Sequence, residues 1–278
     1  MKNNFLHKNI DRVWEIDFIR GFAVALLVFD HLHFLIAYIF GPAWQNVGFN
    51  NISFFENWYV FAKNYWEGSL RHIFGPFFAS VFIFISGLST TFSKNNFKRG
   101  YLLLLFSFAL SITSYYVMPD NFIHFGVLSL LAVSMLVWEF INRLFDGNKT
   151  AIIATNLVIA ISLFIADFVI TTNHIPPKNS FSGLLTMEWY LNQYGFYSPG
   201  DFFPLYINLA TFLLGSVIGN TLYSKKKSYI PKLNCFITKP INFLGRHSFV
   251  FYIFPQLIFM IILALISKNF ITGNMVII

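Results

Sequence analysis

Thiol chemistry is nearly absent from this chain of 278 residues, which has one cysteine, Cys235. A single thiol closes no internal disulfide, builds no thiolate metal cluster and says almost nothing about redox compartment. Charge is scarce too: Asp, Glu, Lys and Arg make up 11% of the residues, against about 25% in soluble domains. Metal-ligand spacings, a phosphate-cradling glycine loop and a serine nucleophile elbow are all missing, so metal sites, ATPases and hydrolases have no support. There is no repeat at a fixed period, and low complexity is confined to Lys225-Lys226-Lys227. The chain therefore reads as one domain over residues 1–278. No small-residue cleavage site follows the first apolar run, so that run is expected to stay in the mature protein.

What the chain does hold is apolar length. Hydrophobic residues make up 56% of it, and near-continuous runs fall at 18–40, 73–92, 101–118, 121–142, 151–171, 201–223 and 247–267. Each is long enough to cross a hydrocarbon core of about 30 Å. The expected fold is all-α, a polytopic transmembrane helical bundle of about seven spanning helices. The net charge of +7 bears on topology here and does not imply a nucleic-acid partner, because in a membrane protein the placement of cations orients the chain. Lys2, Lys8 and Arg12 fall on the same side as the cations of the 94–100, 143–149 and 225–246 gaps, while Lys63, Arg71, Lys178 and Lys268 fall on the other. This places the amino terminus in the cytoplasm, and a multi-pass chain in the plasma membrane is expected. The outer stretch Gly41 to Arg71 is crowded with Trp, Tyr and Phe and is expected to form an interfacial hairpin or helix. Thr171 to Gly200, with Pro176-Pro177 and Ser198-Pro199-Gly200, is the expected flexible lid.

The first run carries ionisable groups that are costly in hydrocarbon and often mark a functional path: Asp17, Arg20, Asp30, His31 and His33. Arg20 and His31 are eleven residues apart. Three turns of helix plus about 20° put them on one face, about 16 Å apart along the axis. Asp17 is within reach of Arg20. Asp30 and His33 point away from His31, so at least one of them must face another helix. Each residue also has a plain reading: Arg20 as a cation snorkelling to the interface, His31 as a neutral imidazole bonded to a neighbouring helix. The functional reading makes His31 a general base or a transient acyl carrier. At the outer ends His72, His124 and Asp201 either hold a polar acceptor or cap helices, with Asp167 and His174 close by. At the inner ends Lys98, Arg99 and Arg246 either bind phosphate or follow from positive-inside bias alone. Gly87, Gly215 and Gly219 read as close-packing positions.

Arg12-Val13-Trp14-Glu15-Ile16-Asp17-Phe18-Ile19-Arg20-Gly21, followed by His31, resembles the opening of bacterial membrane proteins related to heparan-alpha-glucosaminide N-acetyltransferase. The same Arg-to-His spacing resembles the first helix of the membrane-bound O-acyltransferases of bacterial surface glycans. Phe82 to Ser89, Phe122 to Leu128, Asp201 to Leu205 and Phe243 to Ser248 are similar to successive motifs of the first family, in order. The resemblance implies transfer of an acetyl or other acyl group from cytoplasmic acetyl-CoA, or another acyl-CoA, to a sugar or glycan acceptor at the outer face. It implies His31, Arg20 and Asp17 as catalytic residues, and Arg20, Arg246, Lys98 and Arg99 as the donor-binding set. His72, His124 and Asp201 would then hold the acceptor. An oxyanion would need donors, and Asn208 and Ser89 are candidates by position. The implied partners are the bilayer and the acceptor, with room for a homodimer. Two departures stand out: Ser129 and Pro255 occupy places where the family commonly has histidine. They leave open a catalytically inactive membrane subunit, and the buried polar stripe leaves open a transporter or flippase of a lipid-linked or sugar substrate.

Overall fold

The computed structural model describes residues 13–117, 122–176, 180–194 and 201–272. Among them the regular structure is helix, joined by short connections, and the β pairing is a single isolated bridge between Phe125 and Phe202. The helices are α1 (Trp14–Phe34), α2 (Gly41–Asn46), α3 (Ser53–Glu67), α4 (Ser69–Thr90), α5 (Asn96–Val117) and α6 (Val127–Leu144). They continue with α7 (Lys149–Thr172), α8 (Met187–Tyr194), α9 (Leu205–Thr221), α10 (Lys239–Arg246) and α11 (Ser248–Thr272). A π turn over Leu35–Phe40 joins α1 to α2, so helix runs without a break from Trp14 to Asn46.

Among the described residues five helices are long and apolar enough to cross a membrane: Trp14–Asn46, Ser69–Thr90, Val127–Leu144, Lys149–Thr172 and Ser248–Lys268. Leu205–Thr221 is a shorter apolar helix, and α5, at 22 residues, takes the place of the apolar run at 101–118. In lipid such helices are favoured because each satisfies its own backbone hydrogen bonds. One boundary moves. The run at 121–142 does not become helix until Val127, because Phe125 accepts a hydrogen bond from the Phe203 N–H at 2.9 Å and is held extended beside Phe202. The aromatic stretch after Gly41 is helical, as α2, a 3₁₀ turn over Gly48–Asn51, and α3. Of the expected lid, Pro177 and Ser198-Pro199-Gly200 lie outside the described residues, and the described remainder forms a 3₁₀ turn at Ser180–Leu184 and then α8.

The described chain divides into two compact units, with the division inside α4 between Phe82 and Ile83. One comprises Val13–Phe82 and Ser228–Ile278. Here α1 packs on α10 and α11. The α1–α10 crossing is close because Gly21 lies against the Ile241 carbonyl and Gly245 against the Asp17 carbonyl, where a Cβ would collide with backbone. Its apolar cluster joins Ile36, Ala37, Trp44, Tyr59, Ala62 and Leu263. The indole N–H of Trp44 is satisfied by the Ser267 hydroxyl at 2.8 Å.

The other unit holds Ile83–Lys227, where α7 and α6 pack on α9 and α5 packs on α6. Gly87 against the Phe212 carbonyl, and Gly215 against the Phe84 carbonyl, bring α4 and α9 into backbone contact. Gly219 sits against Thr91 and Leu88 in the same seam, as the small-residue spacing led one to expect. Between α7 and α9, buried Asn156 donates to the Ser216 hydroxyl at 2.9 Å.

Candidate active site

Continuous helix through α1 gives Arg20 and His31 the common face expected from their spacing; both are half-buried. The Nδ1 of His31 lies 2.9 Å from the Leu27 carbonyl oxygen. A carbonyl only accepts, so Nδ1 carries a proton, and in the neutral imidazole the lone pair is then on Nε2. The imidazole meets the ring of buried Tyr252 edge-on at 5.7 Å. Phe82 stacks on that tyrosine, with centroids 6.4 Å apart. His31 is thus oriented by backbone at one nitrogen and walled by aromatic rings.

Beside it, Asp30 gathers three helices. Arg71 of α4 reaches it twice, Nε to Oδ1 at 3.1 Å and Nη2 to Oδ2 at 3.2 Å. The Tyr65 hydroxyl of α3 donates to Oδ1 at 3.0 Å, and the Trp66 indole donates to the Asp30 carbonyl at 3.3 Å. The guanidinium lies 3.4 Å from the centre of the Trp66 ring, a cation–π contact strengthened by exclusion of water. The Tyr65 phenol is pushed up to about 12, first by burial and then by the Asp30 carboxylate. Sequence alone left Asp30 and His33 without partners and gave Arg71 no role beyond topology. In the fold both Asp30 and His33 turn toward α3: His33 is buried, with Nδ1 2.8 Å from the Phe29 carbonyl and its ring against Phe29, Phe61 and Tyr65. The available clue was an intramembrane carboxylate that required a cation, with Arg71 the nearest arginine beyond the first loop.

At the opposite end of α1, Asp17 pairs with Arg246 of α10, Nε to Oδ2 at 3.3 Å. Two members of the expected site are thereby brought together, although the expected partner of Asp17 was Arg20. His72 is exposed on the first turn of α4. In the other unit, Lys98 and Arg99 are exposed in the first turn of α5. His124 and Asp201 flank the Phe125–Phe202 bridge and so share one small region. Asp201 Oδ2 accepts the Val127 N–H at 3.1 Å, which caps α6 from a distant part of the chain. His124 meets the Tyr190 ring edge-on at 5.8 Å, and Tyr190 stacks on Phe202 at 3.9 Å. Burial pushes the His124 imidazole below its ordinary value. Asn208 donates to the Pro204 carbonyl at 2.7 Å and Ser89 to the Ile85 carbonyl at 2.6 Å. Both of these bonds stay with the local backbone. Ser129 is buried in the first turn of α6, and Pro255 sits inside α11, three residues beyond Tyr252. Among the described residues no cluster of His, Cys, Asp and Glu is arranged to hold a metal.

Residues 45–257 match the family model described as heparan-alpha-glucosaminide N-acetyltransferase, catalytic. No curated protein and no solved structure matches the chain. The matched stretch contains Arg71, His72, Lys98, Arg99, His124, Asp201, Arg246 and Tyr252, and it begins beyond His31.

Proposed function

We propose a specific acyl transfer from the premise that this chain belongs to the heparan-alpha-glucosaminide N-acetyltransferase catalytic family. Membership makes it a multi-pass membrane protein of an acetyltransferase type. The reaction is transfer of an acetyl or other acyl group from cytoplasmic acyl-CoA to an amino sugar or glycan at the outer face of the plasma membrane. The family match over residues 45–257 carries this reading. The geometry of His31 supplies its chemistry.

His31 is the general base. Nδ1–H is held by the Leu27 carbonyl, so Nε2 takes the proton of the acceptor amine or hydroxyl. The same carbonyl then stabilises the imidazolium that results. Tyr252, edge-on to the imidazole and itself stacked on Phe82, limits its rotation. Asp30, bound by Arg71 and Tyr65, fixes the turn of α1 that carries His31.

The donor, when bound, supplies an activated thioester carbonyl. Guanidinium and ammonium groups suit its phosphates. Arg20 and Arg246 are the residues of one unit that would hold them, and Lys98 and Arg99 are the candidates of the other; the clustering of cations on the amino-terminal side supports this role. Arg246 is already paired with Asp17, so Asp17 orients an arginine of this set. The pair His124 and Asp201 is proposed to hold acceptor hydroxyls, and His72, in the other unit, is a separate candidate for the same role.

The test is release of free CoA thiol from acetyl-CoA by purified protein in nanodiscs, with glucosamine-terminated glycans as acceptors. Release should depend on acceptor and fall about 10²–10⁴-fold in His31→Ala. Equal rates for the two proteins would remove His31 from the chemistry. No acceptor-dependent release by either would overturn the acyltransferase reading.

A further inference from the structure

The connection from α9 to α10 is tied down at its base and bare at its tip. Glu15, buried at the start of α1, accepts the Tyr229 N–H and the Ser228 hydroxyl, each at 2.8 Å. Trp14 donates its indole N–H to the Ile230 carbonyl at 3.1 Å. Two short 3₁₀ turns follow, Pro231–Leu233 and Phe236–Thr238, before α10 begins. Every residue from Tyr229 to Ile237 is exposed. Phe236 and Ile237 are 81% and 82% exposed, the barest large apolar side chains among the described residues. A loop anchored this firmly does not hide its apolar residues against the protein. It presents them.

Charge narrows what can cover them. The Lys239 ammonium lies 5.7 Å from the centre of the Phe236 ring, and Lys232 sits in the preceding turn. In sequence the segment is reached through Lys225-Lys226-Lys227, and no Asp or Glu follows Asp201 anywhere in the chain. An occupant must be negative at its surface and apolar beneath it. A second copy packed face to face would set the same lysines against one another. An anionic bilayer leaflet meets both conditions, since polybasic segments bind acidic headgroups and aromatic and aliphatic side chains sink to the acyl boundary.

We propose that the tip from Leu233 to Ile237 is an in-plane membrane anchor for acidic phospholipid, with Phe236 and Ile237 at the acyl boundary and Lys232 and Lys239 at the phosphates. The inference does not rest on the acyltransferase reading.

Cys235 lies at the centre of the tip, exposed and the sole cysteine of the chain, so the full-length protein can be labelled there with an environment-sensitive thiol fluorophore. In nanodiscs with roughly a third phosphatidylglycerol the emission should be blue-shifted and quenched by brominated acyl chains, several-fold more than in phosphatidylcholine alone. High salt should weaken the difference. Lys232→Gln with Lys239→Gln should abolish the preference for phosphatidylglycerol, and Phe236→Ser with Ile237→Ser should return water-like emission in both lipids. Water-like emission of the unaltered tip in both compositions overturns the proposal, as does equal quenching in both. A shift that appears only when two copies share a disc also overturns it, in favour of self-association.

Discussion

Asp30 and Arg71 form a two-point ion pair across forty-one residues of sequence, at 3.1 and 3.2 Å, with the Trp66 ring against the guanidinium and the Tyr65 hydroxyl on the carboxylate. Side-chain exposures of 21% for Arg71 and 15% for Asp30 put the pair largely out of water. Removing one partner leaves the other as an uncompensated charge, a change that costs about 3–5 kcal/mol at buried pairs. Arg71→Met should therefore lower thermal stability strongly, while Asp30→Asn with Arg71→Met should recover much of the loss. Melting curves in detergent test this, and additive losses in the double variant would refute the coupling.

Tyr65 reports on the same pair through pH. Its phenol titrates near 12 in the fold and at about 10 in an unfolded chain. The folded state thus favours the protonated form, and its contribution is complete below pH 10 and lost as pH rises toward 12. Absorbance of phenolate should show one tyrosine ionising late, with that late titration missing in Tyr65→Phe. Asp30→Asn should bring the titration down, since the carboxylate is one of the causes of the shift.

His124 titrates in the opposite sense. Burial lowers its value, so the neutral imidazole is favoured by the fold. That contribution is complete above the ordinary histidine value and is lost as pH falls through the lowered one. A histidine-selective NMR titration should find it neutral at a pH where an unfolded histidine is already charged, and His124→Gln should flatten part of the acid limb of the stability curve.

Gly21→Ala tests the α1–α10 crossing by the sign of its effect. In an unencumbered helix alanine is favoured over glycine by about 1 kcal/mol. Here its Cβ would run into the Ile241 carbonyl, and forced overpacking costs about 1–3 kcal/mol. Gly21→Ala should lower the melting temperature, whereas Gly75→Ala, which meets only the Arg71 side chain at 3.5 Å, should not.

The helices were legible in the sequence because each apolar run satisfies its own backbone and needs no partner to be recognised. Arg20 and His31 were placed on one face from spacing alone, since 3.6 residues per turn is a local rule. Close packing at Gly87, Gly215 and Gly219 was legible for the same reason. Asp17 shows where such reasoning stops. Local geometry put Arg20 within reach three residues away, whereas Arg246 of α10, which pairs with Asp17 in the fold, could not be read from spacing.

Sequence by itself determined a helical membrane protein, the stripe on α1 and the family to which the chain belongs. Only tertiary structure decided that Asp30 is held by Arg71, Tyr65 and Trp66, that His31 faces Tyr252, and that Asp201 caps α6. The physical reason is the same in each case. Periodicity follows from bonds within one segment, whereas a partner forty or two hundred residues away is chosen by which helices cross and where glycine lets their backbones meet.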